Sequence, residues 1–401
     1  MAGDTRLSQL AQSGATDGQV PKWSQSNSRW EPGDAGRTSV VGYYTMNFAC
    51  WYNSESVPGR YIQPGSYHVY YGTGDRRFQY VTRPGTIKAA SYYLNNSAGS
   101  IEIRNVTKRI ARQISYSAQT PDYEDDLEIP VSWGDLVSIR MLSGDYTAVV
   151  LWVETADDSA NQYQFAQRVT NTSLYACVCG PPNYIGRSNS NHEHAAVITK
   201  PGTLHRVSWI TETPGDLDYI SVRKNDVEQV KFEVQENINS LNLENENISV
   251  AIGDIIGIIG AEQGTSGDSE TQFWLDVKPS GSDKTVILIF GGAIEDPDPY
   301  WMRPFFTVLD PGRTSRDYQT KLYLPFAGNV EYVGWGANTS SSPYIKFERN
   351  ATVYKTVNPT GSSSKTYGTS SADEDCSKGD YLTVHHDNLS NAHAYLAYTI
   401  D

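Results

Sequence analysis

The sequence predicts an all-β protein: three tandem β-sandwich domains behind a short N-terminal arm. Three observations predict it. One turn-and-strand word recurs three times. A strictly alternating strand and a Gly-Asp turn follow each copy in the same order. No long helical stripe runs through the chain.

The word is clearest as Lys200-Pro201-Gly202-Thr203-Leu204-His205-Arg206-Val207-Ser208-Trp209. It occurs earlier as Arg83-Pro84-Gly85-Thr86-Ile87-Lys88-Ala89-Ala90-Ser91-Tyr92 and later as Phe326-Ala327-Gly328-Asn329-Val330-Glu331-Tyr332-Val333-Gly334-Trp335. Each copy reads as a turn that launches a strand. Ile101-Glu102-Ile103-Arg104-Asn105, Ile220-Ser221-Val222-Arg223-Lys224-Asn225 and Ile345-Lys346-Phe347-Glu348-Arg349-Asn350 follow. Their alternation marks a strand with one buried face.

A Gly-Asp turn then leads into an apolar strand at Gly134-Asp135, Gly253-Asp254 and Gly379-Asp380. Each unit ends on a last apolar strand, Ala148-Val149-Val150-Leu151-Trp152-Val153, Gln272-Phe273-Trp274-Leu275-Asp276-Val277 or Ala394-Tyr395-Leu396-Ala397-Tyr398. The two glycines of a unit stand 49, 51 and 51 residues apart, and successive units repeat after 117 and 126 residues. That period exceeds solenoid repeats of about 20–50 residues and suits whole domains of about 100–150. The expected boundaries are residues 1–36 for the arm, then 37–155, 156–281 and 282–401 for the three sandwiches.

Composition agrees. Charged residues make up only 19%, while 27 Tyr, 33 Gly and 19 Pro are present. Such a balance favours strands and turns. Residues 7–12 and 106–113 are the short helical exceptions expected. A net charge of -14 disfavours nucleic acid, because an acidic surface repels phosphates. The N-terminus lacks the apolar core of a signal peptide. No apolar run approaches the about 20 residues that span a bilayer. A soluble chain made in a cytoplasm, with no membrane insertion, is therefore expected. Of the four cysteines, Cys50, Cys177, Cys179 and Cys376, the pair two apart on an apolar run reads as free buried thiols.

Residues 1–36 are polar and carry none of the landmarks; they are too few to form a core. Within them stand Gly14-Ala15-Thr16-Asp17-Gly18-Gln19-Val20-Pro21-Lys22-Trp23 and Trp30-Glu31-Pro32-Gly33-Asp34. This stretch resembles a short module of bacteriophage tail fibres and other phage appendage proteins. Pro21 stands where an aliphatic residue is expected. The resemblance implies an attachment role carried by Asp17, Gly18, Trp23 and Trp30. Physically, Asp17-Gly18 favours a tight turn, and the two tryptophans can cover one another.

The remaining clusters read as ordinary surface. Asp122-Tyr123-Glu124-Asp125-Asp126-Leu127-Glu128 lacks the regular spacing of a calcium loop, and so does Glu295-Asp296-Pro297-Asp298. His192-Glu193-His194 offers two imidazoles on one strand face, but zinc needs three or four ligands. No metal and no cofactor are expected. The chain has no Gly-x-Ser-x-Gly elbow, no phosphate loop, no His-Glu-x-x-His and no Cys-x-x-Cys, so no enzyme activity is expected.

In strand pattern and closing aromatic strand, each unit resembles the jelly-roll sandwich of the tumour-necrosis-factor type. That likeness implies homotrimers. Burying one apolar side chain contributes about 1.5–3 kcal/mol, so three independent cores need no disulfides. Together the resemblances imply a non-enzymatic virion protein, a tail or baseplate fibre anchored by residues 1–36. Its partners would be other virion proteins and a host-surface glycan, met by Tyr300, Trp301 and Trp335 of the distal unit, since sugar faces stack on rings. A capsid head fibre or decoration protein and a carbohydrate-active depolymerase are the alternatives.

Overall fold

The strands of the protein follow its alternating and apolar runs. We describe them from a computed structural model. It describes residues 19–24, 29–34, 42–50, 61–64, 69–70, 78–117, 122–155, 161–169, 174–175, 177–178, 195–211, 217–234, 240–243, 246–261, 269–280, 284–292, 300–304, 320–360 and 366–401. Among these residues every element longer than a single turn is a β-strand, and the sheets are antiparallel throughout. Among the described residues no helix is long and apolar enough to cross a membrane. Residues 1–40 and residues 41–401 are separate compact units.

Within residues 41–401 one wiring plan recurs. An opening strand (Gly42–Cys50, Asn161–Val169 or Thr285–Gly292) pairs with the closing strand of its own unit. The strand launched by the repeated word pairs with the other edge of that closing strand. In the first and third units the launched strand runs on into the alternating strand as Gly85–Asn105 and Gly328–Arg349. It pairs there with Leu136–Thr155 and Tyr381–Ile400. In the second unit the same path divides between two sheets, as Gly202–Thr211 with Ser269–Pro279 and Tyr219–Lys224 with Ile255–Ala261. The register shifts between Met141 and Thr147, and between Gly336 and Tyr344, fall where the second unit divides. Ile101, Ile103, Ile220, Val222, Ile345 and Phe347 are all fully buried, as one-sided alternation demands.

Atomic details repeat as well. A Cβ on Gly85, Gly202 or Gly328 would lie 2.1, 2.2 or 2.2 Å from the carbonyl oxygen of Glu154, Lys278 or Thr399 on the closing strand. Beyond each glycine, one extra residue bulges from the launched strand: Lys88, His205 or Glu331. A bulge adds local twist, which helps the strand leave one sheet for the other. Gly134, Gly253 and Gly379 adopt φ of +80, +89 and +88°, a left-handed turn that favours glycine. The aspartate after each accepts the backbone N–H three residues before it, from Ser132, Ala251 and Ser377. An asparagine side chain, Asn105, Asn225 or Asn350, donates to the same carboxylate. Burial pulls the Asp254 carboxyl upward. The bonds from Ala251 and Asn225 and the charge of Lys224 outweigh it and hold the group below its ordinary range.

Two expectations change. Residues 106–113 are not helical: they form a turn followed by the start of the strand Ile110–Tyr116, which pairs with residues 99–105. Cross-strand pairing of Ile114 with Ile101 captured an apolar spacing that would also suit a helix. The cores, expected to be independent, are joined. The first unit keeps its own cluster around Met46, Phe48, Ile101, Ile139 and Leu151. Tyr43, Ala89, Val150 and Trp152, on the opposite faces of the same strands, belong to a cluster shared with the second and third units. Successive strand residues point to opposite faces, so a run apolar at every position is buried on both.

Three seams result. At the first, Arg83 Nε lies 3.3 Å from Asp276 Oδ2, both nearly inaccessible, and Gln162 donates to Thr82 Oγ1 and to Asp276 Oδ1. At the second, Lys200 Nζ meets Glu331 Oε2 at 2.6 Å, and the Tyr395 hydroxyl donates to the Ala195 carbonyl. At the third, Phe326 packs against Tyr43 and Trp152 with ring centroids 5.4 and 6.0 Å away, Ser91 donates to the Tyr323 carbonyl, and Lys378 pairs with Asp125. The three opening strands also approach one another.

Candidate functional site

The N-terminal module folds as a two-stranded hairpin, Gln19–Ser24 with Arg29–Asp34. Its register sets Trp23 directly opposite Trp30 and Pro21 opposite Pro32. Two prolines facing across a pair remove two ladder donors, which suits a ribbon and not the middle of a sheet. Asp17 and Gly18, read as the attachment turn, lie outside the described residues, as do the side chains of Trp23 and Trp30.

On the distal unit, the strand Tyr300–Pro304 carries two of the three aromatics read as glycan contacts. It pairs with the closing strand so that Tyr300 faces His386 and Trp301 faces His385. The Tyr300 and Trp301 side chains lie outside the described part of the structure. Trp335 is partly buried and packs against the shared core. It faces Gly368 across the strand pair, and a Cβ at Gly368 would lie 2.2 Å from its Cζ2. The ring therefore covers a glycine, an arrangement that stabilises an edge strand and takes up one side of the indole.

Of the acidic stretch at residues 122–128, Asp125 pairs with Lys378, and Glu128 Oε1 lies 2.6 Å from Lys88 Nζ. Among the described residues no group of three or more His, Cys, Asp or Glu side chains is placed to hold a metal ion. His192, Glu193 and His194 lie outside the described residues, and so do residues 295–298. Cys376 is free and buried, and burial pushes its thiol up to about 12, far from a reactive thiolate.

Sequence reading passed over the polar interior of the distal unit. Glu348 is buried, accepts a hydrogen bond from Thr383 at 3.2 Å and sits 3.5 Å from His385. Next to it, burial, with the neighbouring His385 second, holds His386 down at about 3, against an ordinary value of 6.5. The folded protein thus carries His386 neutral, while the unfolded chain protonates it below about pH 6.5. Its contribution is fully present above that pH and is lost toward pH 3, at up to about 1.4 kcal/mol per pH unit. Urea midpoints of the wild type and His386→Gln, taken from pH 7 to pH 4, are expected to converge by that slope. A gap that stays constant with pH would show that His386 does not gain a proton on unfolding.

No protein-family model matches the chain, and no curated protein is similar enough to it to count as a relative. The class of protein is set by its architecture: an almost wholly β chain with several antiparallel sheets and one structural unit built three times.

Proposed function

We propose that the chain is a non-enzymatic structural protein of a bacteriophage virion, a fibre-like appendage of the tail or baseplate. Residues 1–36 attach it to other virion proteins, and the rest of the chain carries three jelly-roll-like sandwiches. The third unit meets the host surface, where Tyr300, Trp301 and Trp335 are the residues offered to a glycan. The observation that carries this reading is the module at residues 14–34. It resembles phage appendage modules, and it belongs to a compact unit of its own, apart from the body.

Attachment is tested by deleting residues 1–36. The deletion is expected to leave the β-sheet circular-dichroism spectrum and the unfolding midpoint of the body unchanged and to abolish incorporation into particles. Normal incorporation of the shortened chain would remove the anchor. Imaging purified virions with an antibody to residues 282–401 distinguishes a tail position from a head fibre or capsid decoration.

A further inference from the structure

We infer that residues 41–401 form a closed ring of three within one chain, so that the threefold assembly expected from three copies is made by one. The argument rests on which position meets which. Two residues before the launch glycine stand Arg83, Lys200 and Phe326. Arg83 of the first unit reaches Asp276 of the second. Lys200 of the second reaches Glu331 of the third. Phe326 of the third reaches Trp152 and Tyr43 of the first.

The same direction holds elsewhere. Thr82 of the first unit accepts from Gln162 of the second, and its counterpart Thr199 of the second lies against Gly334 of the third. Lys378 beside the third Gly-Asp turn meets Asp125 of the first, and Trp133 beside the first turn lies under Arg206 of the second, 4.1 Å from ring centroid to guanidinium. Each unit therefore presents one patch forward and receives on another. Head-to-tail contacts of this kind either close into a ring or run on into a filament. Here the third unit returns to the first, so the ring is closed and each of the described forward patches is taken up within the chain.

The seams are alike in place and unlike in chemistry. A guanidinium meets a carboxylate at the first, an ammonium meets a carboxylate at the second, and aromatic rings meet at the third. In a homotrimer all three seams would be identical. Distinct seams specify which unit sits next to which, because a cation set into the aromatic seam would lose the carboxylate that pairs with it at its own seam. Each body then carries one copy of the arm, where a homotrimer of such bodies would carry three.

Zero-length carbodiimide coupling of the full-length chain tests this directly, because Lys200 and Glu331 already touch. Denaturing gels separate the products by chain number, and peptide mapping locates each cross-link. We expect the Lys200–Glu331 and Lys378–Asp125 cross-links in the band of a single chain, at every protein concentration. This holds even if residues 1–40 associate chains, since that association leaves the seams inside each chain. Finding these cross-links only in bands of two or three chains would overturn the inference. So would their absence from every band while other lysine–carboxylate pairs, such as Lys88–Glu128, couple.

Discussion

Alanine at Gly202 is expected to destabilise the body by about 3 kcal/mol or more, because the added methyl must push two paired strands apart. The Cβ would lie 2.2 Å from the Lys278 carbonyl oxygen and 2.9 Å from both its carbon and Val277 Cγ1. Those first two atoms are backbone in the ladder of the closing strand, so no rotamer change relieves the contact. Gly85 and Gly328 meet the same obstacle and should respond alike. The internal control is Gly253. There φ is +89° and the nearest atom to an added Cβ is Thr369 Oγ1 at 3.8 Å, so only the left-handed backbone opposes a side chain. Gly253→Ala should cost about 1–2 kcal/mol, and Gly253→Asn less, since asparagine tolerates that conformation. Urea denaturation of the three variants checks the order. Equal losses at Gly202 and Gly253 would refute the steric account of the launch glycine.

Removing one partner of the Arg83–Asp276 pair is expected to cost about 3–5 kcal/mol, whereas replacing both by apolar residues should cost far less than the two single changes added together. Both side chains are almost wholly out of water, at 6% and 1% exposure. Asp276 also accepts from Gln162, and the Arg83 carbonyl accepts from the Tyr44 hydroxyl. Arg83→Met thus strands a buried carboxylate, and Asp276→Leu takes the paired carboxylate away from a buried guanidinium. The double variant strands neither charge and leaves Gln162 bound to Thr82. Denaturation midpoints of the four proteins complete the cycle, and additive losses would mean that the two groups do not depend on each other. The pair joins the first unit to the second, so the single variants should also weaken the seam before they weaken either unit.

How far the sequence reached depended on the distance over which each signal acts. Alternation at residues 101–105, 220–225 and 345–350 is a local property of the pleat, and it located buried positions in all three units. Gly134, Gly253 and Gly379 were legible as turns because the conformation they allow is local too. Residues 106–113 misled for the same reason. Ile110 and Ile114 suit one helix face, and only pairing with residues 99–105 decides for a strand. The glycan candidates show the limit: Trp335 was named for its ring, but the cross-strand glycine beneath it could not be known before the pairing was.

By itself, then, the chain determined that it is β-structured and that one unit recurs in it three times, because hydrophobic period and turn chemistry are written in neighbouring residues. Only the tertiary structure decided how the units meet. Arg83 and Asp276, Lys200 and Glu331, and Phe326 and Trp152 lie more than a hundred residues apart. The run from Ala148 to Val153 announced two buried faces without saying what covers the second. Which surface fills such a face is a matter of shape and charge matching between distant strands, and no local pattern encodes it.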